Sequence, residues 1–525
     1  MTLTQLFIIL IVIQIIHGLG TWKLYVKAGR QAWEAFVPVY NAVILMKIIN
    51  RPWWWTILLF LPIVNLIMFP VVWVETARSF GKNTTTDTVL AIVSLGFYNF
   101  YLNYVADVEH VKDRSLQPKT SAGDWVSSIL FAIVAATIVH TYVLQPYTIP
   151  TSSLEKSLLV GDFLFVSKFH YGARVPMTTV AAPMVHDTIP FINKKSYLYD
   201  DNVENKNTSF INKLSLPYMR LPGFQKIKHN DIVVFNWPVD TMLNMRFTDR
   251  NRYKPVDKKT NYVKRCVGLP GDSLEVRNGY VYINGKKNEL PDRAKLQFSY
   301  KVETKSGAFN NDQLTKRFDI TDLPQYNQNA SVSYFPGLTD ETLNQFTNHP
   351  NVKNIESLKR EKGEREASVF PHDPNYNWNN DFFGPLYLPE SGATIDLNLE
   401  VLPLYKRVIS EYENNKLQVK GNQIFINDEL ATSYTFKKDY YWLMGDNRHN
   451  SQDARSWGFV PFDHVVGKPV FIWMSWDRFG KPRWERFFTT VHGSGKPVSY
   501  IIPFLILLAA WFGFSKWRKH KKANA

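Results

Sequence analysis

The sequence predicts multi-pass α-helical membrane anchors joined to a mainly β, extracytoplasmic domain that carries a large insertion. The anchors are indicated by the hydrophobic residues, which make up 45% of the 525-residue chain and concentrate before residue 145 and near the C-terminus. The β domain is indicated by the soluble middle, where short β-branched and aromatic runs are bounded by turn residues. A chain of this length is also expected to contain several domains.

Five apolar stretches approach the ~20 residues that a helix needs to cross a bilayer. They are Leu3–Gly18, Trp53–Val74, Thr88–Val105, Trp125–Leu144 and Val498–Phe514. The segment Ala35–Asn50 is shorter and contains Lys47, so we expect it to lie at the interface or to re-enter the membrane. The first stretch has neither a basic leading region nor an Ala-x-Ala exit, which favours an anchor over a cleaved signal peptide.

The lysines and arginines beside these stretches predict the orientation, because such residues collect on the cytoplasmic side of a membrane. Lys112, Arg114 and Lys119 precede the fourth stretch, and the tail after the fifth stretch contains KWRKHKK. Both of these segments are therefore expected to be cytoplasmic. The region between them, residues 145–496, would face outward and be anchored at both ends.

Charge and cysteine content exclude several classes of protein. The net charge is +15, and much of the surplus lies beside apolar stretches, where anionic lipid is a simpler partner than nucleic acid. The single cysteine, Cys266, can form neither an intrachain disulfide nor a Cys-based zinc site. None of the 12 histidines has the spacing of a metal-binding motif, so no metal and no cofactor is expected.

Four runs between the anchors predict strands: Asp231–Pro238, Asn261–Leu269, Tyr280–Gly285 and Pro469–Trp476. Two stretches, LEVRNGYVYING from Leu274 and LQVKGNQIFIND from Leu417, resemble each other, and each predicts a β-hairpin. The residues between the hairpins are polar and rich in asparagine, which predicts an insertion within one β domain.

The stretch IPTSSLEKSLLVGD, which begins at Ile149, contains the first candidate nucleophile. On its own, Ser153 is a typical turn or cap residue. Lys264 lies in the strand run NYVKRCV, where burial would lower the pKa of its ammonium and let the neutral amine accept a serine proton. Ser152 remains an alternative nucleophile and Lys156 an alternative base. We favour Lys264 over Lys156, because apolar residues flank Lys264 whereas Lys156 is in a polar loop.

Four segments, in this order, resemble bacterial type I signal peptidases: Ile149–Gly172, Asp231–Pro238, Tyr262–Asp272 and Met444–Pro461. Members of that family are membrane-bound Ser–Lys endopeptidases that remove signal peptides from exported proteins. The resemblance covers residues 125–476 outside the insertion. It implies a catalytic domain of the signal-peptidase type, in the inner (plasma) membrane of a bacterium, that faces the periplasm or the outside and cleaves after small residues.

The resemblance implies a role for each matching residue. Ser153 falls on the nucleophile, Lys264 on the general base and Ser451 on the serine that orients the base. Thr151 falls on a side chain of the oxyanion hole, beside the backbone N–H of Ser153. The other matches are support residues of the last segment, Asp446, Asp453 and Arg455, and walls of the substrate pocket, Ile149 and Val263.

Three residues depart from the family pattern. Leu154 replaces a methionine, which conserves volume, and His449 replaces an aspartate. Lys156 replaces a proline and stands beside Glu155. We therefore expect the turn after the nucleophile to be less rigid and more charged than is usual.

Two other functions agree with fewer features of the sequence. A self-cleaving regulator of the related Ser–Lys class would carry a DNA-binding helix-turn-helix before the serine, where this chain has apolar stretches. An inactive homologue that serves as a membrane scaffold would be expected to lack Ser153 or Lys264, and both are present.

The predicted division of the chain assigns each region a role. The N-terminal membrane module, 1–122, is additional to the family plan and is expected to add anchoring or to dock a partner. The expected partners are signal sequences of exported precursors, membrane lipids and possible contacts with the secretion translocon, with no nucleic acid. The remaining parts are an anchor (123–146), the catalytic domain (147–285 and 417–480), the insertion (286–416), a linker (481–497) and a C-terminal anchor with its basic tail (498–525).

Overall fold

The computed structural model describes residues 1–118, 120–240, 252–327 and 331–523. Lys119, which contributes to the predicted orientation, lies outside these ranges. The chain divides into two compact units. The first comprises Met1–Val143, Ala173–Leu221 and Asp240–Lys259, and the second Leu144–Gly172, Pro222–Val239 and Thr260–Ala525.

The α-helices are, in chain order, α1 (Leu3–Lys27), α2 (Tyr40–Ile48), α3 (Trp55–Phe60), α4 (Asn65–Ser79), α5 (Thr85–Val93), α6 (Tyr98–Tyr104), α7 (Ser121–Ile138), α8 (Phe210–Lys213), α9 (Asn311–Phe318), α10 (Asp340–Thr347), α11 (Leu402–Arg407), α12 (Ala454–Trp457) and α13 (Ile501–Ala523).

The strands are β1 (Leu144–Thr148), β2 (Asp162–Ser167), β3 (Ile232–Asn236), β4 (Asn261–Gly268), β5 (Ser273–Arg277), β6 (Tyr280–Ile283), β7 (Lys286–Lys287), β8 (Phe298–Thr304), β9 (Gln325–Tyr326), β10 (Val332–Leu338), β11 (Val352–Ser357), β12 (Phe383–Tyr387), β13 (Thr394–Asp396), β14 (Leu417–Lys420), β15 (Gln423–Ile426), β16 (Glu429–Leu430), β17 (Ser433–Thr435), β18 (Tyr440–Met444), β19 (Val460–Pro461), β20 (Val465–Ser475) and β21 (Thr489–Thr490).

In the first unit, the helices before α7 pack around an apolar core that includes Leu24, Ile44 and Val64. Hydrogen bonds and ion pairs of polar side chains also hold these helices together. The Asn103 side chain accepts hydrogen bonds from the N–H groups of residues 23 and 24 of α1. The Glu75 carboxylate is buried and pairs with three arginines, Arg51 and Arg114 each at 2.7 Å and Arg78 at 3.6 Å. A carboxylate is stable in such a place only when it is paired in this way.

Among the described residues, three helical segments are long and apolar enough to cross a membrane: Leu3–Lys27, Ser121–Val143 and Ile501–Lys521. The stretches predicted at 53–74 and 88–105 are each divided into two shorter helices instead. Leu61 is extended, as residues before proline tend to be, and Ile63 then has a positive φ of 70°. In the other stretch, Leu95 and Gly96 both have positive φ, which ends α5.

The second unit is built on an eight-stranded sheet with the strand order β1-β2-β20-β3-β4-β18-β19, and β21 pairs with β20. All of these described pairings are antiparallel. The long strand β20 lies between β2 and β3, so residues late in the chain close a sheet that starts directly after the apolar helix α7. The four predicted strand runs are confirmed as β3, β4, β6 and β20.

Both predicted hairpins are confirmed. Strand β5 pairs with β6, and β14 pairs with β15, each in antiparallel register. The largest apolar core of the unit lies around Trp442 and Phe383, both nearly inaccessible to solvent. It combines residues 267–281 with residues 369–459.

The residues predicted as an insertion, 286–416, take part in two different cores. Strands β8 to β11 form a separate sheet in the order β11-β8-β10-β9, and with α9 and α10 they enclose a core that includes Phe298, Phe335 and Phe346. We call residues 298–357 the inserted subdomain. The residues after it, from Val369 to Tyr412, pack instead into the largest core.

Candidate active site

The candidate nucleophile lies on the turn between β1 and β2. Leu154 and Leu158 on this turn are buried in a small apolar cluster, together with Ile149, Leu164 and Ile232. The N–H of Leu158 donates to the carbonyl of Leu154 at 2.8 Å. These leucines fix the turn against the sheet, and Ser153 directly precedes the first of them.

The Lys264 side chain reaches this turn from the middle of β4, where its backbone lies opposite Val233 of β3. Its Nζ lies 2.6 Å from Oγ of Ser153, a hydrogen-bond distance, and the two residues are 111 positions apart in the chain. Lys264 is 3% exposed and Ser153 5%. The structure therefore brings together the two residues that the sequence analysis singled out first.

The surroundings of Lys264 favour a neutral amine. Burial lowers the pKa of Lys264 to about 8; the carboxylates of Asp453 and Asp446 oppose this shift, and Arg455 adds to it. The ring of Tyr262, two residues earlier on the same strand face, has its centroid 5.4 Å from Nζ. At pH 7, about one unit below this pKa, roughly a tenth of the lysine is neutral and able to accept a proton.

Two buried ion pairs support this arrangement. Arg265 pairs with Asp446 at 2.6 and 2.7 Å, and both groups also hydrogen-bond the hydroxyl of Ser157 on the nucleophile turn. Arg455 pairs with Asp453 at 2.8 and 2.9 Å. Both pairs are bidentate, so two parallel hydrogen bonds fix the orientation of each arginine against its carboxylate. The first pair attaches the loop after β18 to the turn that carries the candidate nucleophile, whereas the second braces the loop itself.

The Asp453 carboxylate also accepts the N–H of Gly445 at 3.0 Å. Burial would raise the pKa of Asp453, but Arg455 outweighs burial and lowers it. Gly445 itself is closely surrounded: a Cβ there would lie 2.2 Å from Oγ of Ser451 and 2.6 Å from the carbonyl oxygen of Ser153. A glycine is therefore required for this loop to approach the turn so closely.

The remaining predicted site residues are placed as follows. Oγ of Ser451 is buried next to Gly445, but it makes no hydrogen bond to any residue that the structure describes. Its role in orienting Lys264 stays a prediction. Thr151 is exposed on the turn, two residues before Ser153. Ile149 belongs to the apolar cluster below the turn, and the partly buried Val263 packs against that cluster.

The two alternative candidates have other partners. Ser152 accepts a hydrogen bond from the side chain of Asn450, with 3.1 Å between Nδ2 and Oγ. Lys156 forms an ion pair with Asp319 at 2.8 Å. Its neighbour Glu155 is buried, which raises the pKa of that carboxyl to about 7, although the hydroxyl of Thr321 donates a hydrogen bond to it.

Asn447 and Asn450 both bind the nucleophile turn, and neither was among the predicted site residues. The backbone N–H of Asn447 donates to the carbonyl of Ser153 at 3.1 Å. Its position in MGDN, directly after Asp446, is the only signal in the sequence that could have indicated it. Within the described parts of the chain, no group of three or more His, Cys, Asp and Glu residues could hold a metal ion.

Comparison with known proteins gives two matches. Residues 122–335 and 392–476 match the family of signal peptidases, peptidase S26, and residues 33–113 match a family of unknown function, DUF5684. The interruption between 335 and 392 falls within the predicted insertion. The second match lies wholly within the predicted N-terminal module.

Curated relatives agree with the first match. A signal peptidase I of Buchnera aphidicola subsp. Baizongia pistaciae is 25% identical over 351 residues, 65% of this chain and 73% of the relative. Those of Haemophilus influenzae and Helicobacter pylori are each 23% identical, over 72% and 71% of this chain and 78% and 92% of the relatives. The family match covers more than half of the 525 residues and includes the nucleophile turn, β4 and the loop after β18, so this chain belongs to the signal peptidase S26 family of endopeptidases.

Proposed function

We propose that this protein removes N-terminal signal peptides from exported precursor proteins, acting as a membrane-bound serine endopeptidase with a Ser153–Lys264 dyad. The observation that carries this proposal is the 2.6 Å separation of Nζ and Oγ in a site from which solvent is nearly excluded. The names of the curated relatives support the substrate class.

The reaction follows the Ser–Lys form of acyl transfer. Neutral Lys264 accepts the proton of the Ser153 hydroxyl while Oγ attacks the scissile carbonyl carbon. The tetrahedral intermediate collapses to an acyl-enzyme, and the lysine ammonium gives its proton to the leaving amine. Water then attacks the ester with Lys264 as base again, which releases the signal peptide as a carboxylate and restores the serine.

The charge that develops on the carbonyl oxygen requires donors beside Ser153. The backbone N–H of Ser153 and the exposed hydroxyl of Thr151 are our proposed donors. Ile149 and Val263 form an apolar cluster at the same turn, and we propose that they line shallow pockets for small side chains at P1 and P3. Strand β1, at the end of the sheet order, supports recognition of an extended peptide as an added strand.

We further propose that the enzyme is a multi-pass protein of the bacterial inner membrane, with its catalytic unit on the periplasmic or outer side and residues 286–416 as an addition to the minimal catalytic domain. The three long apolar helices support membrane anchoring. Exposed aromatic residues such as Phe224, 81% exposed, support contact with lipid. Contact with the translocon remains part of the proposal.

The dyad is tested by cleavage of a model precursor with purified full-length protein. Ser153→Ala and Lys264→Ala should each lower kcat by about 10³-fold or more, because neither residue works without the other. The matched neighbours Ser152→Ala and Lys156→Ala should keep activity within about tenfold of wild type, since neither is at the reacting atoms. Wild-type cleavage by Lys264→Ala would contradict the proposed mechanism.

A further inference from the structure

The turn that carries Ser153 is in contact with the inserted subdomain. Residues 319–322, which we call the clasp segment, follow helix α9 and include Asp319, Thr321 and Asp322. Phe318 and Ile320 on either side of Asp319 are buried in the subdomain's own core. The clasp segment is therefore held by a folded core and presents its polar side chains outward from it.

The first contacts of the clasp segment involve the two residues after Leu154. Nζ of Lys156 pairs with the Asp319 carboxylate at 2.8 Å and also donates to the Asp319 carbonyl. The hydroxyl of Thr321 donates to the Glu155 carboxylate, which is 2% exposed. The Lys156 side chain is 11% exposed and that of Asp319 is 80% exposed, so water reaches this ion pair from the carboxylate side.

A second set of contacts reaches the other side of the nucleophile turn. The Asp322 carboxylate accepts hydrogen bonds from the side-chain amides of Asn447 and Asn450, at 3.3 and 3.1 Å. The same two asparagines bind the turn itself, through the carbonyl of Ser153 and the hydroxyl of Ser152. Asp322 therefore fixes the groups that hold the backbone on both sides of the nucleophile.

Two of the three residues that depart from the family pattern contact the insertion. Lys156 and Glu155 contact the clasp segment as described. Nδ1 of His449 accepts the N–H of Ser299 at 3.0 Å, and its Nε2 lies 2.9 Å from Asp381. Two of the three departures from the family pattern thus have a partner between residues 299 and 381, whereas the third, Leu154, is buried beneath the turn.

We propose that the clasp segment is a positioning element for the reaction: it holds the Ser152–Lys156 turn so that Oγ of Ser153 stays within reach of Lys264. Lys156 has a positive φ of 75°, a strained conformation for a residue with a side chain, and its pairing with Asp319 helps to hold it there. A proline could not adopt this conformation, because its ring fixes φ at about −65°, so the turn here depends on side-chain contacts instead.

The inference rests on the proposed Ser153–Lys264 dyad, and its test uses the full-length enzyme. Asp319→Asn removes the charge and keeps a side chain that tolerates the left-handed conformation of residue 319. Lys156→Ala removes both bonds from the lysine. We expect kcat to fall by about threefold for the first variant and about tenfold for the second, with KM unchanged, because acylation geometry is affected and substrate contacts are not.

The matched control is Lys316→Ala, which breaks an exposed ion pair with Asp312 on the neighbouring helix α9 and should leave kcat unchanged. The double variant Lys156→Ala, Asp319→Asn should lose no more activity than Lys156→Ala alone, since both changes remove one interaction. If the clasp segment only stabilised the fold, the variants would lower the melting temperature without a selective fall in kcat relative to KM.

The proposed positioning role would be contradicted by wild-type kcat in both single variants. It would also be contradicted if the losses of kcat multiplied in the double variant. Those outcomes are distinct from failure of the proposed function, which would appear as retained cleavage by Ser153→Ala. Inactive dyad variants together with fully active clasp variants would overturn only the positioning role.

Discussion

At the scale of single residues, the environment of Lys264 predicts that the activity of the proposed dyad increases towards alkaline pH. The amine is inside the protein, and burial is the dominant cause of its lowered pKa. Asp453 and Asp446 are near enough to oppose that shift, but each is engaged by an arginine. The paired carboxylates thus support the structure of the site without restoring the charge on the lysine.

We predict that kcat/KM for precursor cleavage rises with pH to a plateau, with a midpoint near the lysine pKa of about 8. The reaction needs the neutral amine, so activity should fall about tenfold per unit below the midpoint. Rates measured between pH 6 and 10 with one precursor test this. Lys156→Ala should keep the same midpoint; a midpoint that moves with this variant, or a flat profile, would contradict Lys264 as the base.

At the scale of elements, the approach of the loop after β18 to the nucleophile turn is the tightest contact in the site. Gly445 permits it, because the space that a Cβ would need is filled by Ser451 and by the backbone of Ser153. Rotation of the Ser451 side chain would move its Oγ but not its Cβ, which is also 2.6 Å away, and the Ser153 carbonyl cannot move without moving the nucleophile.

We therefore predict that Gly445→Ala lowers kcat/KM by about 100-fold, because a displacement of under 1 Å is enough to misalign an attacking oxygen. The control is Gly513→Ala, since a Cβ on that glycine of α13 would meet no atom within 4 Å. Both variants are assayed for cleavage and for thermal unfolding. Activity equal to wild type in Gly445→Ala would contradict the prediction, because it would show that the loop accommodates the added methyl group.

The elements also show what the sequence could and could not predict. The strands and both hairpins were predictable, because alternation and turn residues are local signals. The contact between Lys156 and Asp319 was not, since 163 positions separate the two residues and each looks like an ordinary surface charge. Lys264 and Ser153 were paired in advance only through the resemblance to a family, as no local pattern connects positions 111 residues apart.

At the scale of the whole molecule, helix lengths limit how the chain can be anchored. The segments from Trp53 to Tyr104 were predicted as two spans and instead form four helices of six to fifteen residues. Backbone turns at Leu61–Ile63 and Leu95–Gly96 caused this difference, and an average of hydropathy over a window does not detect them. Long apolar helices precede and follow the catalytic segments in the chain.

The proposed orientation can be tested with engineered cysteines, because the only native cysteine, Cys266, is fully buried and should stay unlabelled. In intact spheroplasts, a membrane-impermeant maleimide should label Lys286→Cys, which is exposed on the catalytic unit. Lys519→Cys in the basic tail should be labelled only after the membrane is permeabilised. The reverse pattern would contradict the orientation.

The position of β20 in the central sheet has a consequence for how the protein is made. Strand β2 follows the nucleophile turn, yet one of its neighbours, β20, is synthesised roughly 300 residues later. The inserted subdomain has its own sheet and core from contacts that are close in sequence, so it can fold while the ribosome is still working. A nascent chain thus carries both Ser153 and Lys264 for roughly 200 residues of synthesis before β20 can close the sheet around them. The central sheet can close only after β20 has been synthesised, so we expect proteolytic activity to appear late in synthesis.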